Sequence, residues 1–454
     1  MIKYITSLMF SFGFGLNLTL SDYHNPTANH FLDAKIIGNT LIASGMVQGI
    51  EFYDISNPGE LNHQANFRFG QGQQGAKSNC VTGYGDYAYF TTSNGLYVVD
   101  ISDASNPINL GRVSNTSNYI LENLDTDGNI VAVAAHEDGV KLFNLLSPNE
   151  LSLSSTIECN NAWAVAINND LLFVADESDI RIVNISIIND PNLLEVISVS
   201  NAIKDIIVDQ NMLYVALGSD GVAIYQISDN SLNYLDTYNT NTLANRLSAF
   251  NGKVAVADWD DVEVLEWNGS ELNLVGYKNT GNRTMAIAAD VNNYIYSVEW
   301  ASVQSFEYGQ IDGPDIDLNT WELNYPYVNS GSSFTLSLEV TNNGNQLLSI
   351  SDNYTTNSEF EIINPLLDLQ PGSSQIIEIV YNATNSNASG AYRIYSNDPD
   401  EGEIICETNG NIDGANIGEP APDFNLSYIA NGNGNFQLSD YLGQVVVVAF
   451  FAPN

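Results

Sequence analysis

The side chains with chemistry to offer are few: four histidines, three cysteines and two short acidic segments. A metal centre needs histidine, cysteine or carboxylate at ligand spacing, and His24, His30, His63 and His136 show none. His24 and His30 lie in a polar N-terminal stretch. His136 stands just before a hairpin turn, where a solvated side chain is expected. Asp125-Thr126-Asp127-Gly128-Asn129 has the opening of a calcium loop but lacks the later ligands and the bidentate glutamate, so a β-turn accounts for it. Asp258-Trp259-Asp260-Asp261 also reads first as a hairpin turn. Its tryptophan, with Trp163 and Trp300, either lines a face and stacks on a ligand or packs in a core or edge. Cys80, Cys159 and Cys406 are odd in number, far apart and without a CxxC pair, and read mostly as buried hydrophobes. No Gly-x-Ser-x-Gly elbow, phosphate loop or Cys/His nucleophile pair is present. The sequence therefore assigns no catalytic, cofactor-binding or metal-ligating residue, and no cofactor.

The elements that would position these side chains repeat every roughly forty residues. A short apolar strand ending in an acidic or amide residue recurs with that residue at 54, 100, 144, 184, 226, 266 and 307. Ahead of it in every copy lie two turn signals. The first runs Gly38-Asn39, Gly85-Asp86, Gly128-Asn129, Asn169-Asp170, Gln210-Asn211, Asn251-Gly252 and Asn292-Asn293. The second follows nine or ten residues later, as in Asn94-Gly95, Asp138-Gly139 and Asp220-Gly221. Glycine and asparagine tolerate the positive φ of tight hairpins, and the Val/Ile/Tyr/Phe-rich runs between them are strands. Each copy is thus an antiparallel meander with room for a fourth strand. Seven such units predict a seven-bladed β-propeller over residues 31–310 rather than a linear solenoid, whose coils are shorter. How the ring closes is left open, because Ser21–His30 is a poor strand by composition.

The second copy, Gly95-Leu96-Tyr97-Val98-Val99-Asp100-Ile101-Ser102-Asp103-Ala104-Ser105-Asn106-Pro107, resembles the LVIVD repeat. The first keeps Asp54-Ile55-Ser56-Asn57-Pro58, and later copies decay. That resemblance implies an exported propeller and no particular activity.

Ile311-Asp312-Gly313-Pro314 breaks the period and reads as a linker. Residues 315–412 read as a β-sandwich, with Phe334–Val340 and Gln375–Tyr381 as strands. Thr341-Asn342-Asn343-Gly344-Asn345 and Tyr395-Ser396-Asn397-Asp398-Pro399-Asp400-Glu401 resemble immunoglobulin-like domains of the choice-of-anchor D type, which implies a spacer or adhesion module. Residues 417–454 begin Gly418-Glu419-Pro420-Ala421-Pro422-Asp423-Phe424 and reach the unbroken apolar run Val445–Pro453. They resemble the opening of a redoxin domain, an incomplete thioredoxin-like α/β segment. In that family the reactive cysteine lies just past this strand, and no position here matches it. A bare strand of this kind aggregates, which suggests a fragment of a longer reading frame.

Lys3 followed by the mainly apolar Tyr4–Leu20, with the small Thr19 and Ser21, reads as a signal peptide over 1–21. Export makes the protein secreted, cell-surface or periplasmic, and no membrane span remains after cleavage. The net charge of −41, from 13 cations against 54 carboxylates, repels nucleic acid. Together these readings predict a mainly β, exported multidomain binding or presentation protein, not catalytic as given, whose propeller recognises a protein or glycan. The alternative is a fragment of an exported thiol-dependent oxidoreductase, of the peroxiredoxin or thiol–disulfide oxidoreductase class, with its catalytic cysteine beyond residue 454. A third reading, an acid-residue enzyme in the central channel, has no catalytic pair singled out.

Overall fold

A computed structural model describes residues 17–26, 30–45, 49–70, 77–240, 242–309, 313–320, 322–384, 387–399, 402–411, 425–427 and 435–441. Most of the leader reading, the 311–312 part of the linker and the Val445–Pro453 run lie outside these residues. So does most of the redoxin-like segment, of which the antiparallel pair Asn425–Ser427 with Asn435–Gln437 and the turn Leu438–Tyr441 are described. Among the described residues no helix is long and apolar enough to cross a membrane. The chain divides into two compact units, Met1–Asp317 with Asn343–Gln346, and Leu318–Asn342 with Leu347–Asn454.

In the first unit the second repeat shows the common plan. Ser78–Tyr84, Tyr87–Thr92, Gly95–Asp100 and Ile108–Arg112 lie in that order in one antiparallel sheet. At the first turn, all seven repeats hold one residue in the left-handed region: Gly38, Gly85, Gly128, Asn169, Gln210, Asn251 and Asn293. The polar end of the third strand starts the next turn. Asp100 Oδ1 accepts from the Ser102 backbone N–H at 3.0 Å and its hydroxyl at 2.7 Å; Asn184 Oδ1 does the same for Ser186, and Asp54 Oδ1 accepts from the Ser56 backbone N–H. These bonds hold the Asp100 carboxyl below its ordinary range. The three strands nearer the centre are largely buried because neighbouring sheets cover both faces, and the fourth faces solvent, as in Asn192–Ser198.

The first strands form a closed circle. Phe31–Ile37, Ser78–Tyr84, Leu124–Thr126, Ala162–Asn168, Asp205–Asp209, Arg246–Phe250 and the end of Leu272–Ala289 each touch the next, and the last touches the first. Phe31, Ala34 and Leu41 share a core with Ala286, Tyr296 and Val303 across that seam. Two features depart from separate four-stranded units. Leu272–Ala289 is one 18-residue strand that serves as the fourth strand of the sixth repeat and the first of the seventh, fusing them into a seven-stranded sheet. The other is the closing strand, Leu18–His24, which pairs antiparallel with Val303–Tyr308. Leu18 is fully buried with Phe250, Ala255 and Phe306. The composition of Ser21–His30 argues against a strand there. An open edge with unpaired backbone groups on Val303–Tyr308 overrides that weak propensity.

The second unit contains two sheets. One orders Ser333–Asn342, Ser374–Asn382 and Phe360–Ile362; the other orders Glu322–Asn324, Glu403–Gly410, Ala388–Ser396 and Ile350–Thr355. Tyr325 stands 5.4 Å from Phe360 and 5.5 Å from Tyr381, centroid to centroid, joining the buried faces of the two sheets. Its hydroxyl donates to the Ile379 carbonyl at 2.8 Å, so the buried phenol is satisfied.

Candidate functional site

Each first strand is an edge strand facing the axis, so its N–H groups need partners from outside its own sheet. The preceding repeat supplies them. Asp33 Oδ2 accepts from Val81 N at 2.8 Å, Asn123 Oδ1 from Val165 N at 3.1 Å and Asp205 Oδ2 from Leu247 N at 2.9 Å. Asp125 Oδ2 accepts from Ile167 N at 2.9 Å, while Asp127 caps the turn at Asn129. The segment that opens like a calcium loop is therefore a turn plus a tie between repeats, as its missing ligands imply.

Arg246 reaches across the axis. Its Nη1 donates to the Lys204 carbonyl at 2.9 Å and its Nη2 to Cys80 Sγ at 3.4 Å. Asp33 Oδ1 and Glu122 Oε1 each lie 3.8 Å from the guanidinium. Five repeats thus meet at one cation. Burial raises the carboxyl pKa of Asp205 to about 6 and also raises that of Asp33, with Arg246 opposing both shifts. No nucleophile results. Burial, then the Asp33 charge, pushes the Cys80 thiol well above its ordinary value; burial lifts Cys159 to about 11 and Cys406 to about 12. All three cysteines are free. Cys80 and Cys406 should therefore resist a thiol reagent at pH 8 in the native protein and react only in denaturant; prompt native labelling of Cys80 would refute this reading.

The second strand of a repeat ends, and its first strand begins, on the same face of the ring. There the second turn holds one residue at a matching position in successive repeats: His136, Glu177, Gly218 and Trp259, with φ of 49°, 58°, 59° and 63°. Trp300 stands 41 residues after Trp259 in the corresponding turn of the seventh repeat. Only Gly218 adopts the left-handed backbone without strain, so the other three side chains hold it at a cost of about 1–2 kcal/mol each. The same face gathers the three tryptophans, each half-buried beside a basic or imidazole group. Trp163 lies 5.4 Å from the His136 ring and 5.9 Å from Lys204 Nζ. Trp259 carries Arg283 at 5.3 Å, and Trp300 packs on His30 at 4.6 Å. The Trp163 indole N–H is buried with no acceptor.

His136 is not the solvated turn residue expected. It is half-buried: Nδ1 meets Asn161 Oδ1 at 3.0 Å and Nε2 lies 3.6 Å from Glu122, which raises its pKa. His24 and His63, unrelated by spacing, are brought together at 5.2 Å. His63 bonds Glu51 at 2.6 Å and His24 meets the Tyr53 hydroxyl at 2.9 Å. No sequence signal pairs them, because the closing strand brings His24 there. Arg246 has a faint signal: a cation at the start of a first strand, in a chain with 13 cations.

A model of the LVIVD repeat matches residues 76–116, the second copy. No curated protein matches the chain. Among solved structures, the chain is similar to the β-propeller domain of Cps50 (Swd1) from Myceliophteria thermophila, with TM-score 0.51 and 9% identity, covering 64% of this chain and 100% of that one. It is also similar to the computationally designed Ika8 protein, with TM-score 0.46 and 12% identity over 63% of this chain and 97% of that one. The four-stranded sheets, the matched repeat and the likeness to the Cps50 domain make the first unit a β-propeller.

Proposed function

We propose that this chain is a non-catalytic recognition protein whose seven-bladed propeller presents its tryptophan-bearing face to a protein or glycan. The observation that carries this is the second-turn position, where a constant backbone displays histidine, glutamate, glycine and tryptophan in turn. A rigid scaffold with interchangeable tips is how loop-borne binding surfaces are built. Indole faces beside basic groups suit the apolar face and hydroxyl rim of a sugar, or the mixed surface of a protein. The raised cysteine pKa values and the carboxylates tied to backbone N–H groups speak for binding rather than chemistry.

Residues 315–412 serve in this reading as an immunoglobulin-like spacer, and a leader directs export to the cell surface, periplasm or medium. The test is binding of the full chain to a glycan array and to surface proteins in pull-downs, repeated with Trp163→Ala, Trp259→Ala and Trp300→Ala. Anchoring aromatic side chains contribute ~2 kcal/mol or more, so the ligand found should bind each variant roughly thirtyfold more weakly. Unchanged binding by the triple variant would remove this face from the proposal. The oxidoreductase reading rests on the resemblance from Gly418 onward; it requires peroxidase or disulfide-reductase activity from a longer product, and none from residues 1–454.

A further inference from the structure

The fourth and sixth repeats carry opposite charges at one matched register position. Arg181 lies opposite Val174 in its hairpin and Glu263 opposite Val256, which are the same register positions one repeat-pair apart. In the fourth repeat Asp176 accepts from the backbone N–H of Asn160 at 3.1 Å and from Arg181 Nε at 2.6 Å. In the sixth, Asp258 takes the place of Asp176 and accepts from the backbone N–H of Thr242 at 2.7 Å. Where the guanidinium stands in one repeat, the other has the Glu263 carboxylate.

Asp258, Asp261 and Glu263 are 0%, 2% and 0% exposed, and one carboxylate oxygen from each lies within 4.8 Å of the others. Burial raises the Asp258 carboxyl pKa. Asp258 Oδ1 is buried and accepts no hydrogen bond. Thr240, 6% exposed, faces the same carboxyl, and its hydroxyl has no partner at hydrogen-bond geometry. Buried carboxylates persist where a cation compensates them. Three oxygens at such separations can share one centre at about 2.4 Å, the calcium–oxygen distance. The donor set is all oxygen, with no histidine or cysteine, which favours a hard cation over zinc.

We infer that Asp258, Asp261 and Glu263 hold a calcium ion, with the Thr240 hydroxyl beside it, where the fourth repeat uses the Arg181 guanidinium. The ion would also fix the turn that carries Trp259, between two of its ligands.

The test uses the full chain, stripped with chelator and titrated with calcium chloride at physiological salt by calorimetry and thermal melting. One saturable site per chain and a rise in melting temperature are expected, above any diffuse binding to the acidic surface. Glu263→Arg restores the fourth-repeat arrangement; it should fold, lose the site at least a hundredfold, and no longer respond to calcium in the melt. Glu263→Gln should weaken the site about tenfold or more. Absence of a saturable site in the wild-type chain, or its retention at full affinity in Glu263→Gln, overturns the assignment whether or not the arginine variant folds.

Discussion

Replacing Arg246 with alanine should destabilise the propeller by about 3–5 kcal/mol at pH 7 and by distinctly less at pH 5, because removing one partner of a buried charge cluster leaves the others uncompensated. The cluster is Asp33, Glu122 and Asp205 around a single guanidinium that also donates to the Lys204 carbonyl. The pH dependence follows from Asp205. Its carboxyl pKa rises from 3.8 to about 6 on folding, mainly through burial, so the folded state binds this proton more tightly than the unfolded chain. The stability this group contributes is fully present below pH 3.8 and is lost as pH rises through about 6. The wild-type chain should therefore be more stable at pH 5 than at pH 7. Arg246 opposes the upward shift at both Asp205 and Asp33; without it both pKa values climb further, and the penalty falls on the neutral side. Arg246→Lys keeps the charge but not the planar donor fork, and should lie between. Denaturant melts of the three proteins at pH 5 and pH 7 decide the matter; an alanine variant as stable as wild type at pH 7 would show that the cluster is incidental.

The parts of this fold visible in the sequence are those set by backbone sterics within a repeat. Gly85 and Asn251 announce their turns because φ must be positive there, and Asp54 and Asp100 mark strand ends because a short acceptor closes the next turn. What joins the repeats was not visible. Asp33 and Arg246 are far apart in sequence, and a period of roughly forty residues says which side of a strand faces the axis, not what stands opposite. The fused strand Leu272–Ala289 has no signal of its own, because each repeat is expected to hold its own four strands. The tryptophans were ambiguous because an indole suits a core and a binding face equally, and the sequence does not show that all three stand at one end of the strands. His136 failed a simple rule, that a polar residue beside a turn is solvated, because Asn161 and Glu122 stand within reach of its ring. A comparison of the sixth repeat with the fourth shows Glu263 in place of Arg181 without any structure, but only once the register is fixed.

A chain beginning at Asp22 should lose the seam of the ring, whereas one beginning at Leu16 should keep it. The pairs Leu18 with Tyr308, Thr19 with Glu307 and Leu20 with Phe306 all precede Asp22. Leu18 is fully buried, worth about 1.5–3 kcal/mol, and the lost half of the ladder leaves backbone groups on Phe306–Tyr308 without partners, at ~1–3 kcal/mol each where buried, while Asp22–His24 still face Val303–Ser305. The remaining stub keeps Asp22, whose carboxylate accepts from Leu61 N at 2.8 Å, and His24 beside Tyr53, but both depend on the strand before them for position. The expected loss is therefore about 4 kcal/mol or more, with the freed edge open to pairing between chains. This bears on export. Cleavage after Ser21 would remove half of the closing strand, while cleavage after Gly15, with the small Gly13 two residues earlier, would spare it. If a leader is removed, the mature chain should begin at Leu16 or at most one residue later. Mass spectrometry of the exported protein reads that terminus directly, and melts of chains starting at Leu16 and Asp22 measure the strand. Equal melting temperatures, or a mature terminus at Asp22 on a stable protein, would mean that the seam closes by other contacts.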